Sequence, residues 1–307
     1  MLIFNMNQST APIRKAIIPA AGFGTRLFPA TKALKKELLP IIDRDGRVKP
    51  TILAIVEEAI SAGIEEVALI VQSGDSAFFE NFFKTPLTDI HYNKLSPENQ
   101  AYSQYLQALG QKITLLTQES QEGYGHAVFC AKDWVNDEPF LLFLGDHVYL
   151  SDTDQSCASQ LVEVYNRVGK STVALTVTPA TEIYHCGCVT GNWQDNDGIL
   201  SLTQVCEKPD LDYARKNLIV EGLTGDRFLT VFGIYALTPT IFDFLEANIR
   251  NNLREKGEFQ LTTCLEQVRE AEGMYGYQIK GRCFDTGMPD AYYQTFIDFR
   301  EFNRPKP

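Results

Sequence analysis

The sequence predicts an α/β fold: a doubly wound, Rossmann-like mixed sheet in the first half, continuing into an irregular β-rich second half. Two observations carry the first part. Strand, glycine loop, helix and strand follow one another over residues 15–71, and each strand is an unbroken apolar run of the kind covered on both faces. A third observation carries the second part, because beyond residue 170 the apolar stretches are divided by turn residues rather than by long helices.

Residues 15–20 read as a buried first strand leading into the glycine loop. Residues 50–61, with TILAIVEEAIS, space their apolar side chains at helical intervals and stop before Gly63, a natural C-terminal end. Residues 66–71 give the next buried strand, closing a βαβ unit whose crossover is expected to be right-handed. The alternation continues with an aromatic-rich helix at 77–84, a strand at 112–117, a helix at 125–135 and a strand at 140–144. In the second half strands are expected at 172–178, 187–193, 200–207 and 228–237, with Asn196-Asp-Gly198 turning a hairpin, and a helix at 239–248 with Pro239 in its first turn. No Pro- or Ser-rich linker and no repeat interrupts the chain. The expected organisation is a flexible N-terminus over 1–14 and a single domain over 15–307, in two halves, 15–150 and 151–307.

The net charge of -11 argues against a protein that coats nucleic acid or an anionic membrane, since either needs a broad basic face. The charge is uneven. Residues 1–50 carry nine Lys or Arg against three Asp or Glu, whereas the remainder carries 19 against 36. A local cationic pocket on an acidic body suits a small polyanion such as a nucleoside triphosphate. The seven cysteines are odd in number and without CxxC spacing, which reads as a reducing compartment. Cys186-Gly-Cys188 beside His185 lacks a second ligand pair at finger-like spacing, so it reads as small buried side chains on a strand. With no secretory leader pattern and no run of the ~20 apolar residues that span a bilayer, a cytoplasmic protein is expected.

The cationic loop is Gly22-Phe-Gly24-Thr25-Arg26. Leu27 stands where a dinucleotide fingerprint has its third glycine, which disfavours a dehydrogenase, and no Walker lysine follows. What remains is a loop whose glycines let backbone N–H groups approach phosphates, with Arg26 offering a planar fork. Gly22, Gln118 and Asp146 all fall at or just beyond strand ends, where ligands bind in such sheets.

The stretch GFGTRLFPATKALKKELLP resembles the signature G-x-G-T-R-x-x-P-x-T-K-x-x-x-K-x-x-x-P of bacterial sugar-1-phosphate nucleotidylyltransferases, most closely the UTP-glucose-1-phosphate uridylyltransferases. TQESQEGYGHAV, FLLFLGDHVY, VCEKP, GEFQLTT and GRCFDTG agree with that family in order, so the resemblance runs from about residue 15 to 299. It implies a nucleotide-diphospho-sugar transferase fold in which Ala21, Gly22, Gly24, Thr25 and Arg26 hold UTP and Lys36 reaches the reacting α-phosphorus. Gln118 and Gly123 would read the uracil edge, Gly187, Glu207 and Lys208 would bind glucose 1-phosphate, and Asp146 and Asp285 would hold Mg²⁺. The implied reaction is UTP plus glucose 1-phosphate giving UDP-glucose and pyrophosphate. The implied assembly is a homo-oligomer, a dimer or a tetramer.

Lys32 and Lys35 read either as further phosphate contacts or as solvated charges, and His147 either as a phosphate contact or as a structural histidine. Departures from the family pattern are Gly145 in place of Pro, Thr263 in place of Asp, the lengthened connection at 43–48, and residues 288–291. They leave open a dTTP-dependent or other-sugar nucleotidylyltransferase. A non-catalytic sugar-nucleotide sensor is the reading from another class, and it would be expected to lose Lys36 or an aspartate that this chain keeps.

Overall fold

A computed structural model of the chain describes residues 11–194 and 197–301. Its strands, in order, are β1 (Lys15–Pro19), β2 (Pro40–Ile42), β3 (Val48–Pro50), β4 (Glu66–Gln72), β5 (Ile113–Gln118), β6 (Phe140–Phe143) and β7 (His147–Ser151), followed by β8 (Thr172–Pro179), β9 (Gly187–Trp193), β10 (Ile199–Glu207), β11 (Arg227–Leu237), β12 (Tyr275–Gln278) and β13 (Gly281–Asp285). Along β1 the side chains alternate: Ala16 and Ile18 enter one apolar layer and Ile17 the other, all fully buried. β4 and β6 repeat this, with Leu69 and Leu141 on the first side and Ile70 and Leu142 on the second. Strands apolar on both faces need helices above and below. Helices Thr51–Ser61, Ser76–Phe83 and Cys157–Val168 cover the first side, and Thr240–Arg250 and Leu261–Glu272 the second.

The main sheet has the order β5-β4-β1-β6-β11-β8-β12-β10-β9. Its first four strands are parallel, and β11 joins antiparallel to β6, so the sheet is mixed and passes from one half of the chain into the other. Beyond β11 the β-rich part curls back, since β9 pairs both with β10 and, through Val189 and Cys188, with β11.

The expected helix at 125–135 is two short ones, Tyr124–Phe129 and Lys132–Val135, the second closed by Asn136 in the left-handed region at φ 55. β9 and β10 pair antiparallel as the hairpin expectation requires, with Gly198 at φ 89 before β10, while Asn196 lies outside the described residues. Packing begins early: Ile13 is buried, and the Arg14 carbonyl accepts from the Glu65 N–H at 2.8 Å. All seven cysteines are free thiols. Among the described residues no helix is long and apolar enough to cross a membrane.

Two small two-stranded sheets stand outside the main sheet. β2 and β3 flank the lengthened connection at 43–48, which buries Lys49 against the carboxylates of Asp43 at 2.5 Å, Glu57 at 2.8 Å and Asp45 at 3.1 Å. A buried ammonium with three carboxylate partners is satisfied rather than costly, so the insertion is a structural clasp. The second pair, β7 with β13, shapes the site below.

Candidate active site

The glycine loop follows β1 and is tied down on both sides. The Ala21 carbonyl accepts from Gln72 Nε2 at 2.5 Å and Gln121 Nε2 at 2.9 Å, and the Gly24 carbonyl accepts from Thr31 Oγ1 at 3.1 Å. Gly24 has φ 75, and a Cβ there would lie 2.9 Å from the Thr31 methyl, so both conformation and space require glycine. Lys36 runs beneath the loop, its Cε 3.4 Å from where a Cβ on Gly22 would stand. Arg26 is exposed and forms no ion pair among the described residues. Lys35, by contrast, is buried and bound to Asp75 at 2.6 Å, which makes it a structural partner, while Lys32 is exposed.

Lys36 Nζ ends 2.7 Å from Asp146 Oδ2. Asp146 occupies the turn between β6 and β7, and the register of β7 with β13 sets His147 opposite Asp285. That pairing brings together two carboxylates 139 positions apart in sequence. The Thr286 N–H and hydroxyl both donate to the Asp146 carbonyl at 2.8 Å, and the Gly287 N–H donates to Asp285 Oδ1 at 2.6 Å. A Cβ on Gly287 would stand 2.6 Å from Asp146 Oδ2, so only glycine leaves this pair its room. One ligand atom from each of Asp146, His147 and Asp285 falls within 4.8 Å of the others, and this donor set fits a divalent cation.

The electrostatics follow. Burial disfavours the Lys36 charge, yet the carboxylates of Asp146, Glu37 and Asp285 outweigh it and leave its pKa raised. Burial likewise works against the Asp146 charge, but the His147 and Lys36 contacts hold its carboxyl well below the usual range. For His147 burial lowers the pKa, and Asp146 and Asp285 more than restore it.

Glu37, next to Lys36, is fully buried, and neither carboxylate oxygen has a hydrogen-bond partner among the described residues. The nearest cation, Lys36 Nζ, is 3.8 Å away. Burial pushes its pKa up to about 7 against the pull of Lys36. A carboxyl with a raised native pKa binds its proton more tightly folded than unfolded. Its stabilising contribution is therefore complete below its unfolded value of 4.5 and is lost as pH rises through about 7. Glu37→Gln removes this titration, so relative to the parent the variant should gain about 3 kcal/mol of urea-unfolding free energy between about pH 4.5 and pH 8. A difference between the two proteins that stays constant over that range would contradict the assignment.

At the end of β5, Gln118 is buried; its Nε2 donates to the Gly123 carbonyl at 3.2 Å and meets His126 Nδ1 at 2.9 Å. Its Oε1 receives no donor among the described residues. Gly187 and Glu207 face each other across β9 and β10. Glu207 Oε1 is 2.9 Å from Lys208 Nζ, and its Oε2 accepts from Thr262 Oγ1 at 2.7 Å. Lys208 has φ 45, a conformation a non-glycine residue adopts only where its surroundings impose it.

Several participants carry little sequence signal: Gln72 is the last residue of an apolar run, and Gln121 and Glu37 stand inside the resembling segments at positions to which the resemblance gives no role. Thr262 stands inside GEFQLTT, but the departure in that segment is Thr263, whose hydroxyl donates instead to Glu255 at 3.0 Å.

A model of the nucleotidyl transferase family matches residues 15–301. The UTP--glucose-1-phosphate uridylyltransferase 1 of Staphylococcus saprophyticus is 34% identical over 292 residues, covering 94% of this chain and 92% of the relative. The UTP--glucose-1-phosphate uridylyltransferase of Bacillus subtilis is 31% identical, over 94% of this chain and 91% of its own. Among solved structures, a UDP-glucose pyrophosphorylase complexed with UDP-glucose matches with TM-score 0.75 and 29% identity, covering 92% of this chain and 97% of that one. A UTP-bound UGPase from Acinetobacter baumannii matches with TM-score 0.74 and 26% identity, over 96% and 95% of the two chains.

Proposed function

Because the chain belongs to the nucleotidyl transferase family, we propose that it is a UTP-glucose-1-phosphate uridylyltransferase, making UDP-glucose and pyrophosphate from UTP and glucose 1-phosphate. The observation that carries the reading is Lys36, which runs under the glycine loop and ends on the Asp146 carboxylate. Residues 15–150 then serve the nucleotide and 151–307 the sugar.

In this reading the backbone of residues 21–25 and the Arg26 side chain bind the triphosphate. Gln118, whose Nε2 is engaged by Gly123 and His126, offers Oε1 to an imide N–H. Uracil and thymine carry that N–H and cytosine does not, so a buried acceptor here discriminates against CTP. Gly187, Glu207 and Lys208 take the sugar phosphate, Glu207 being held in place by Thr262.

A phosphate oxygen of glucose 1-phosphate attacks the α-phosphorus in line as pyrophosphate leaves. The nucleophile is already ionised near neutral pH, the second pKa of a phosphate monoester being about 6, so no general base is required. Catalysis reduces to positioning and charge neutralisation. Lys36, kept protonated by the carboxylates around it, offsets charge at the α-phosphate, Arg26 offsets it on the leaving pyrophosphate, and Lys208 aligns the attacking phosphate. Asp146 and Asp285 would hold a divalent ion, Mg²⁺ in this reading, which would supply Lewis-acid charge neutralisation.

Isotope exchange tests the direct displacement. Labelled pyrophosphate should enter UTP only when UDP-glucose or glucose 1-phosphate is also present. Exchange with UTP and pyrophosphate alone would mean a covalent uridylyl-enzyme and a different mechanism.

A further inference from the structure

His147 has no part in the displacement described above, yet its ring is drawn into the aspartate pair. Consecutive side chains of a regular strand point to opposite faces. Asp146, in the turn before β7, escapes that rule, and its Oδ1 lies 3.0 Å from His147 Nδ1. Across the ladder Asp285 stands opposite His147. The His147 side chain is 21% exposed, and no described residue other than Asp146 hydrogen-bonds to its ring.

A separation of 3.0 Å has two chemical readings. It is a hydrogen bond, and it is also the edge of an octahedron whose metal–ligand bonds are about 2.1 Å, since adjacent ligands then stand roughly 3.0 Å apart. One ligand atom from each of the three side chains already lies within 4.8 Å of the others, so side-chain adjustment can draw all three around one ion. The ion takes the place of the proton that the ring shares with Asp146, as metal binding to imidazole generally does.

Resting on the ion site proposed above, we infer that His147 supplies an imidazole nitrogen as a third protein donor and biases the site toward Mn²⁺ and Co²⁺ over Mg²⁺. Mg²⁺ takes oxygen ligands and keeps its waters, whereas divalent transition cations gain more from a nitrogen donor, Mn²⁺ least and Co²⁺ more along the first row.

The test uses the whole protein with its histidines labelled with ¹⁵N, loaded with Mn²⁺, and read by pulsed electron paramagnetic resonance. The expected result is a hyperfine coupling from directly bound nitrogen that changes between ¹⁴N and ¹⁵N samples and disappears in His147→Asn. In equilibrium titrations the same variant should lose at least ~10-fold in Mn²⁺ affinity, while Mg²⁺ affinity, measured by competition, changes much less. Bound Mn²⁺ without histidine coupling in the parent protein would overturn the inference and leave the aspartate site standing. Failure of the parent protein to bind Mn²⁺, with or without UTP, would overturn the ion site and the inference together.

Discussion

Lys36→Ala is expected to lower turnover at least ~10²-fold, the loss seen when one fixed donor to developing charge is removed. The side chain lies under Gly22 and delivers its ammonium to the Asp146 carboxylate. Its removal leaves Asp146 and the buried Glu37 without their shared cation and leaves charge at the α-phosphorus with one neutralising group fewer. Affinity for UTP should change less than turnover, because Arg26 and the loop backbone remain. Steady-state kinetics with and without a small primary ammonium ion checks this, since an ammonium diffusing into the vacated space should restore part of the rate. Turnover near that of the parent protein would remove Lys36 from the mechanism.

Asp146→Asn should cost turnover at least as much, while leaving the fold intact. The main-chain carbonyl that accepts two bonds from Thr286 is unchanged by the substitution. The side chain is not neutral in effect. Both of its oxygens now face donors, Lys36 on Oδ2 and His147 on Oδ1, and an amide must turn its own NH₂ group toward one of them. Kinetics under saturating Mg²⁺ together with a thermal unfolding curve separates the two effects: the transition should be lowered by the loss of the Lys36 ion pair but stay cooperative, and at a temperature where the variant is fully folded its activity should still be down about 10²-fold or more. An active Asp146→Asn protein would contradict the placement of the reaction centre.

The first half of the fold is legible because β1, β4 and β6 are apolar throughout their interiors, with Lys15, Glu66 and Gln72 only at strand ends, and such strands have one common solution, helices on both faces. Helix Pro97–Gly110 is hard to read because its side chains are mostly polar. Helix Cys157–Val168 did carry a signal, with Ser156 capping one end and Gly169 in the left-handed region at the other, but it follows a run of Asp, Thr and Ser that resembles a loop. β12 is four residues long, and its place between β8 and β10 depends on partners distant in sequence.

The site divides in the same way. The glycine loop and Lys36 are close in sequence, and their spacing is itself a motif. The aspartate pair depends on the register of β13 against β7, and a shift of one residue would turn Asp285 to the other face. Glu37 shows why local reading stops short: in the sequence it is one acid in a cationic stretch, and only its complete burial, without a hydrogen-bond partner among the described residues, gives it a raised pKa.

The measurement that bears most directly on the proposed reaction is pyrophosphate release by the purified protein with Mg²⁺. UTP, dTTP, CTP, ATP and GTP would each be tested against the 1-phosphates of glucose, galactose, mannose and N-acetylglucosamine. The predicted result is a dominant rate with UTP and glucose 1-phosphate, and none with CTP, which cannot donate to Gln118. A dominant rate with another pair would contradict the assignment of the base or sugar pocket, and silence across the whole grid with UTP still bound would contradict catalysis itself.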